Sequence, residues 1–161
     1  MRHALLILTA GLACLLTACS GLNYGSPVPD ARVQLRINTK LAEFVHFVPE
    51  NSGNYVIANL DGYYLNGKRV MARQESDICG FAGVLIFIDY DHHYDAFDLC
   101  CPHCLNAKKP VTVDGIFATC PTCGEAFDLS YGTAHPTKGI SRQGLKRYAV
   151  LYSGDVVNVG N

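Results

Sequence analysis

The sequence predicts an all-β fold, and three observations lead to that prediction. Apolar and polar residues alternate along segments such as 33–37, which is the period of a half-buried strand. Asp61-Gly62 and Asn66-Gly67 are dipeptides typical of hairpin turns. After residue 30, no apolar pattern of helical period persists for three turns. These features favour short antiparallel strands joined by tight turns.

The segments predicted as strands are rich in β-branched and aromatic residues and are bounded by turn residues. They are 33–37, 44–48, 55–58, 63–65, 69–72, 84–88, 94–99, 111–113, 116–119, 127–129, 145–152 and 156–159. The segment 84–88, Val-Leu-Ile-Phe-Ile, is apolar throughout, and such a run predicts a strand that is buried on both faces.

The first 30 residues precede the predicted fold. A short basic start is followed by an apolar stretch that is too short to span a bilayer comfortably, and it ends in Thr17-Ala18-Cys19. This pattern resembles a bacterial lipoprotein signal, so we expect residues 1–18 to be the signal peptide and Cys19 to carry the lipid. Residues 19–30 have the composition of a flexible tether, and 31–161 have the length of a single domain. The resemblance implies a protein anchored to the lipid bilayer through Cys19, in the bacterial cell envelope and facing the periplasm.

Charge and composition exclude one class of partner. The chain of 161 residues has 13 basic and 14 acidic residues without a long run of either sign, and it contains no Trp. Nothing in this pattern indicates nucleic-acid binding. Export would place the cysteines in an oxidising compartment, where disulfides compete with metal ions for thiols.

Two cysteine-bearing loops, at 100–104 and 120–124, carry the chemistry that the sequence reveals. Cys101-Pro-His-Cys104 and Cys120-Pro-Thr-Cys123-Gly124 are separated by 15 residues. Two Cys-x2-Cys pairs at this distance match the spacing of a four-sulfur zinc site. We therefore expect both loops to form a small, zinc-ribbon-like metal-binding subdomain.

The order of elements around these loops resembles a Rieske-type domain. The resemblance rests on 94–98 before the first loop, on Asp114-Gly115 in the intervening hairpin, and on 124–132 after the second loop. It implies that Cys101 and Cys120 are the sulfur ligands of a [2Fe-2S] cluster and that His103 is the first imidazole ligand. Cys123 stands where the family has its second histidine. A loop like 135–139 folds over the cluster in that family. The resemblance also implies that the all-β fold is a Rieske-like β-sandwich.

Three interpretations of the two loops remain open at this point. Cys101, His103, Cys120 and Cys123 hold a [2Fe-2S] cluster, or Cys104 takes the place of His103 in a structural zinc site. In the third interpretation no metal is bound and the oxidised thiols pair. The sequence contains no nucleophile–base set and no glycine-rich phosphate loop, so we expect a non-catalytic protein, either an electron-transfer module or an interaction protein. Its redox or protein partner is unidentified.

Overall fold

The computed structural model describes residues 25–161, which form thirteen β-strands and no α-helix. The strands are β1 Val33–Asn38, β2 Tyr55–Asn59, β3 Gly62–Leu65, β4 Lys68–Met71, β5 Ile78–Cys79, β6 Val84–Ile88, β7 Tyr94–Asp98, β8 Thr112–Asp114, β9 Phe117–Thr119, β10 Ala126–Asp128, β11 His135–Lys138, β12 Arg147–Ser153 and β13 Val156–Gly160. The prediction of an all-β fold is confirmed. The described part of the chain contains no helix long and apolar enough to cross a membrane. The predicted signal peptide and Cys19 lie outside the described residues.

Nine strands form one large antiparallel sheet, in the order β4-β3-β2-β6-β7-β12-β13-β1-β5. The sheet curls, because strands from both of its halves bury side chains in one common core. Leu35 and Ile37 of β1 meet Val56 of β2 and Ile86 of β6 there. The curled sheet therefore packs against itself and closes the first of two apolar cores.

Strand β6 is buried on both faces, as the apolar run predicts. Val84, Ile86 and Ile88 point into the core of the curled sheet. Leu85 and Phe87 point to the opposite face, where they join a second core. Because successive side chains of a strand alternate between its faces, this strand connects both cores.

A small sheet lies over this second face, and it carries the cysteine loops. Its four strands are ordered β11-β10-β9-β8 and are only three or four residues long. Phe127 of β10 and Ala118 of β9 pack with Leu85, Cys101 and Cys120 in the second core. The predicted two-loop subdomain is thus present and sits against the large sheet.

One predicted strand is wrong. Segment 44–48 consists of consecutive turns, in which Phe44 N–H donates to Leu41 O and Phe47 N–H donates to Phe44 O. Phe44 and Phe47 are fully buried, whereas the intervening Val45 and His46 are exposed. The apolar side chains therefore follow a three-residue spacing that a strand does not have.

Candidate metal centre

The first cysteine loop begins where β7 ends, and a buried carboxylate fixes its start. Asp98 accepts a hydrogen bond of 2.8 Å from the backbone N–H of Cys100. The loop then turns back on itself: Leu105 N–H donates to Cys101 O at 3.0 Å, and Leu105 adopts a left-handed backbone conformation with φ +51°. Val111 N–H donates to Leu99 O and closes the base of the loop.

The second cysteine loop connects β9 to β10. Cys120 N–H donates to Glu125 O at 2.8 Å, and Gly124 N–H donates to Cys120 O at 2.9 Å. Gly124 has φ +74°, a left-handed conformation that glycine adopts without steric cost. The Cys-Pro-Thr-Cys-Gly sequence therefore forms a tight turn in which the backbone N–H groups of Thr122 and Cys123 face the Cys120 sulfur.

The two loops bring four cysteine sulfurs together. The Sγ atoms of Cys101, Cys104, Cys120 and Cys123 all lie within 4.8 Å of one another. The Cys101–Cys123 and Cys104–Cys120 Sγ distances are both 3.8 Å, so each close contact joins one loop to the other. Cys101 and Cys120 are buried, Cys104 is half-buried and Cys123 is exposed. All six cysteines in residues 25–161 are free thiols.

These distances fit one tetrahedral metal ion. A zinc ion with metal–sulfur bonds of about 2.3 Å has sulfur–sulfur edges of about 3.8 Å. The two closest contacts already have this length, and the others need a contraction of about 1 Å at most, well within side-chain rotation. A two-iron cluster instead divides its ligands between two metal ions joined by sulfide. The donor set therefore fits a single soft ion.

The pKa values of these thiols differ with their surroundings. Burial raises the pKa of Cys101 and of Cys104. Burial also opposes ionisation of Cys120, but the backbone N–H groups of Cys123 and Thr122 donate to its sulfur and bring its pKa below the ordinary value. Metal binding at such a set therefore displaces protons from thiols.

His103 belongs to a different group of donor atoms. Its Nδ1 lies 4.0 Å from Cys104 Sγ, and its ring is exposed. The structure groups His103 with Cys123 and Glu125, whose donor atoms all lie within 4.8 Å of one another. Of the predicted site residues, Cys101, Cys120 and Cys123 thus meet Cys104 at the centre, and His103 stands at the rim.

Sequence reasoning missed Glu125, which is buried beside the site. Its side chain is 1 % exposed, and Oε2 lies 3.5 Å from Cys101 Sγ. Oε1 accepts hydrogen bonds from the backbone N–H groups of Ile140 and Ser141, at 3.0 and 2.6 Å. The signal for Glu125 is a charged residue directly between the turn glycine and strand β10, but its hydrogen-bond partners lie 15 to 24 residues away in the sequence.

The remaining cysteines and the loop histidine take no part in this group. Cys79 lies in β5 and donates to Asn59 O, and Cys100 is buried with its Sγ near Cys101 O. His135 is exposed in β11, where the Rieske resemblance implies a loop. None of the three belongs to a group of metal-ligand atoms among the described residues.

The fold and the site together define an all-β protein in which two cysteine loops, each adjoining a strand of the small sheet or the large one, form a candidate metal centre. No protein-family model and no curated protein matches the chain. Among solved structures, a chain of the complex of reduced oxygenase and oxidized ferredoxin in carbazole 1,9a-dioxygenase is similar. The match has 17 % identity and a TM-score of 0.45, and it covers 80 % of this chain and 93 % of that chain.

Proposed function

We propose that this chain is a non-catalytic metal-binding module in which Cys101, Cys104, Cys120 and Cys123 hold one divalent ion, with zinc as the best-fitting metal. The observation that carries the proposal is the mutual distance of the four sulfurs. Four thiolates occupy every position of a tetrahedral ion, so such a site is closed to substrate. Tetrahedral sulfur donors also select zinc or iron over harder metals.

The small sheet gives the ion a structural role. Strands of three or four residues bury little apolar surface of their own. An ion shared by the two loops would fasten the end of β7 to the β9–β10 connection. It would thereby hold the small sheet against the large one, as structural zinc does in small domains.

A second candidate function is one-electron transfer by a [2Fe-2S] cluster on Cys101, His103, Cys120 and Cys123. The position of His103 beside the exposed Cys123 favours it, because both donors lie at the solvent edge where an electron-transfer partner docks. In that arrangement Cys101 and Cys120 would hold one iron, and His103 and Cys123 would hold the other. Its redox partner would be a separate protein.

We further propose that the module is anchored to the bacterial envelope through Cys19 and faces the periplasm. The basic start, the apolar stretch and the small residues before Cys19 support this location. The end of the tether is attached to the domain by Lys146, whose Nζ donates to Val28 O, to Pro29 O and, at 2.6 Å, to the Asp30 carboxylate.

Metal retention by two variants tests the four-sulfur site against the cluster. We expect Cys104→Ser to lose the bound ion, because the four-sulfur site loses one of its donors, and His103→Ala to retain it. Cys79→Ser is the matched control, since this thiol lies outside the site. Metal per chain is measured after gel filtration of reduced protein. The reverse result, retention by Cys104→Ser and loss by His103→Ala, would contradict the zinc proposal and support the cluster.

A further inference from the structure

We propose that His103, Cys123 and Glu125 form a second, weaker metal site next to the four-sulfur site, with the Cys123 sulfur shared by both ions. The inference rests on the proposed function, since it takes the first ion to be bound by the four cysteines. The ion bound at this second site is a divalent transition-metal ion of borderline softness, such as zinc.

The donor atoms of this site are close together and adaptable. The ring nitrogen of His103, the sulfur of Cys123 and a carboxylate oxygen of Glu125 lie within 4.8 Å of one another. His103 and Cys123 are exposed, so both side chains have room to rotate toward a common ion. Mixed imidazole, thiolate and carboxylate donors are characteristic of zinc ligands.

Glu125 provides the second observation, because its carboxylate is buried without a cation. Oε1 accepts hydrogen bonds from two backbone N–H groups, whereas among residues 25–161 Oε2 accepts a hydrogen bond from the Cys101 thiol alone. The ion pairs among residues 25–161 do not include Glu125. A buried carboxylate in such a position is costly unless an opposite charge or a hydrogen-bond donor compensates it.

Binding of the first ion removes the hydrogen-bond donor of Glu125 Oε2, which is the Cys101 thiol. The thiol of Cys101 loses its proton when it becomes a metal ligand, so a carboxylate oxygen then faces a thiolate. Four thiolates around one divalent ion carry excess negative charge, which adds to the charge of Glu125. A second cation between Glu125, His103 and Cys123 neutralises this excess at the position where it arises.

The second ion differs from the first in its access to solvent. Three protein donors leave one tetrahedral position for water or another small ligand, whereas four thiolates leave none. The site faces solvent on the side of His103 and Cys123. The first ion is therefore the tightly held one, and the second exchanges with metal ions in the surroundings.

Titration with cobalt(II) tests the proposal on the full chain, reduced and purified in detergent without oxygen. Bound cobalt is counted by equilibrium dialysis, and thiolate-to-cobalt absorption reports the sulfur ligands. We expect two equivalents per parent chain, and one equivalent for both His103→Ala and Glu125→Gln. His93→Ala removes an exposed histidine elsewhere and is expected to keep two equivalents.

The outcomes separate this inference from the proposed function. A parent chain that binds one equivalent would overturn the second site and leave the four-sulfur site intact. Two equivalents that persist in both variants would also overturn it, since the second ion would then be bound elsewhere. A parent chain that binds no cobalt would contradict the four-sulfur site and the second site together.

Discussion

Asp98 connects the first cysteine loop to the large sheet through hydrogen bonds. Its carboxylate is fully buried and accepts hydrogen bonds from the backbone N–H groups of Phe81 and Cys100, both at 2.8 Å. The hydroxyl of Tyr148 donates to it at 2.6 Å, and the N–H of Ala82 donates at 3.2 Å. These four donors compensate the buried charge without a cation. The first cysteine loop therefore starts from a fixed point.

Removal of the Tyr148 hydroxyl tests this connection. Tyr148→Phe leaves one oxygen of Asp98 with fewer donors, and we expect the free energy of unfolding to fall by about 1.5–3 kcal/mol at neutral pH, the range for hydrogen bonds to charged groups. The measurement is urea unfolding of the two proteins. An unchanged midpoint and slope would contradict the role assigned to this hydrogen bond.

The same variant changes the alkaline stability profile. Burial, and then the hydrogen bond to Asp98, raise the pKa of Tyr148. An unfolded tyrosine ionises near pH 10, so above that pH the unfolded state binds fewer protons than the folded state. Stability therefore falls with rising pH, by about 1.4 kcal/mol per pH unit for this tyrosine. We expect Tyr148→Phe to make the fall above pH 10 shallower by about this slope, and equal slopes would contradict the assignment.

At the scale of strands, β11 is the element for which the sequence gives the weakest signal. The segment 135–139 contains Pro136, which argues against a strand, and the family resemblance implies a loop. In the structure β11 is the edge of the small sheet, where Pro136 pairs with Phe127 and His135 with Asp128. Proline is tolerated on an edge strand because its missing N–H can face solvent. Residues 135–138 can form a strand because they lie at the edge of the sheet, and the local sequence does not reveal that position.

The turn after β11 packs closely on Glu125, the buried carboxylate beside the metal centre. Gly139 has φ +117°, and a Cβ at this position would meet Glu125 Cγ at 2.1 Å. We expect Gly139→Ala to displace this turn and to break the hydrogen bonds from Ile140 and Ser141 to Glu125. Amide exchange at these two residues should accelerate at least about tenfold, which corresponds to about 1.4 kcal/mol.

Gly115 is the matched control for this substitution. It also has a positive φ, +57°, but a Cβ there meets nothing within 4 Å. Gly115→Ala therefore introduces backbone strain without the steric clash, and we expect the exchange of Ile140 and Ser141 to stay at the parent rate. Equal acceleration in both variants would show that a general loss of stability, and not packing on Glu125, governs exchange at this turn.

At the scale of the whole molecule, the sequence predicts the type of fold better than its connections. Alternation and turn dipeptides are local signals, and most strands lie where these signals are strong, as at 84–88. The order of nine strands in the curled sheet depends on pairings such as β1 with β13, which join residues more than 100 positions apart. Local patterns carry no information on such pairings, and the same limit explains why Glu125 escaped notice.

For the candidate site, the sequence likewise predicts the general arrangement but not its details. The spacing of the cysteine pairs indicates that four sulfurs converge, because each pair forms one tight turn. The spacing does not decide whether His103 or Cys104 completes the set, since both belong to the same turn. Side-chain placement distinguishes them: the sulfur of Cys104 faces Cys120, and the His103 ring lies at the rim with Cys123 and Glu125.

The most direct test of the account is a count of zinc, iron and acid-labile sulfide per chain, in protein purified without oxygen and passed through gel filtration. The account predicts one tightly bound zinc ion per chain and no labile sulfide. Two irons with a matching amount of sulfide would contradict the single-ion site and make the chain an electron carrier. Absence of any metal would contradict both functions and leave the four cysteines as a redox-sensitive thiol group.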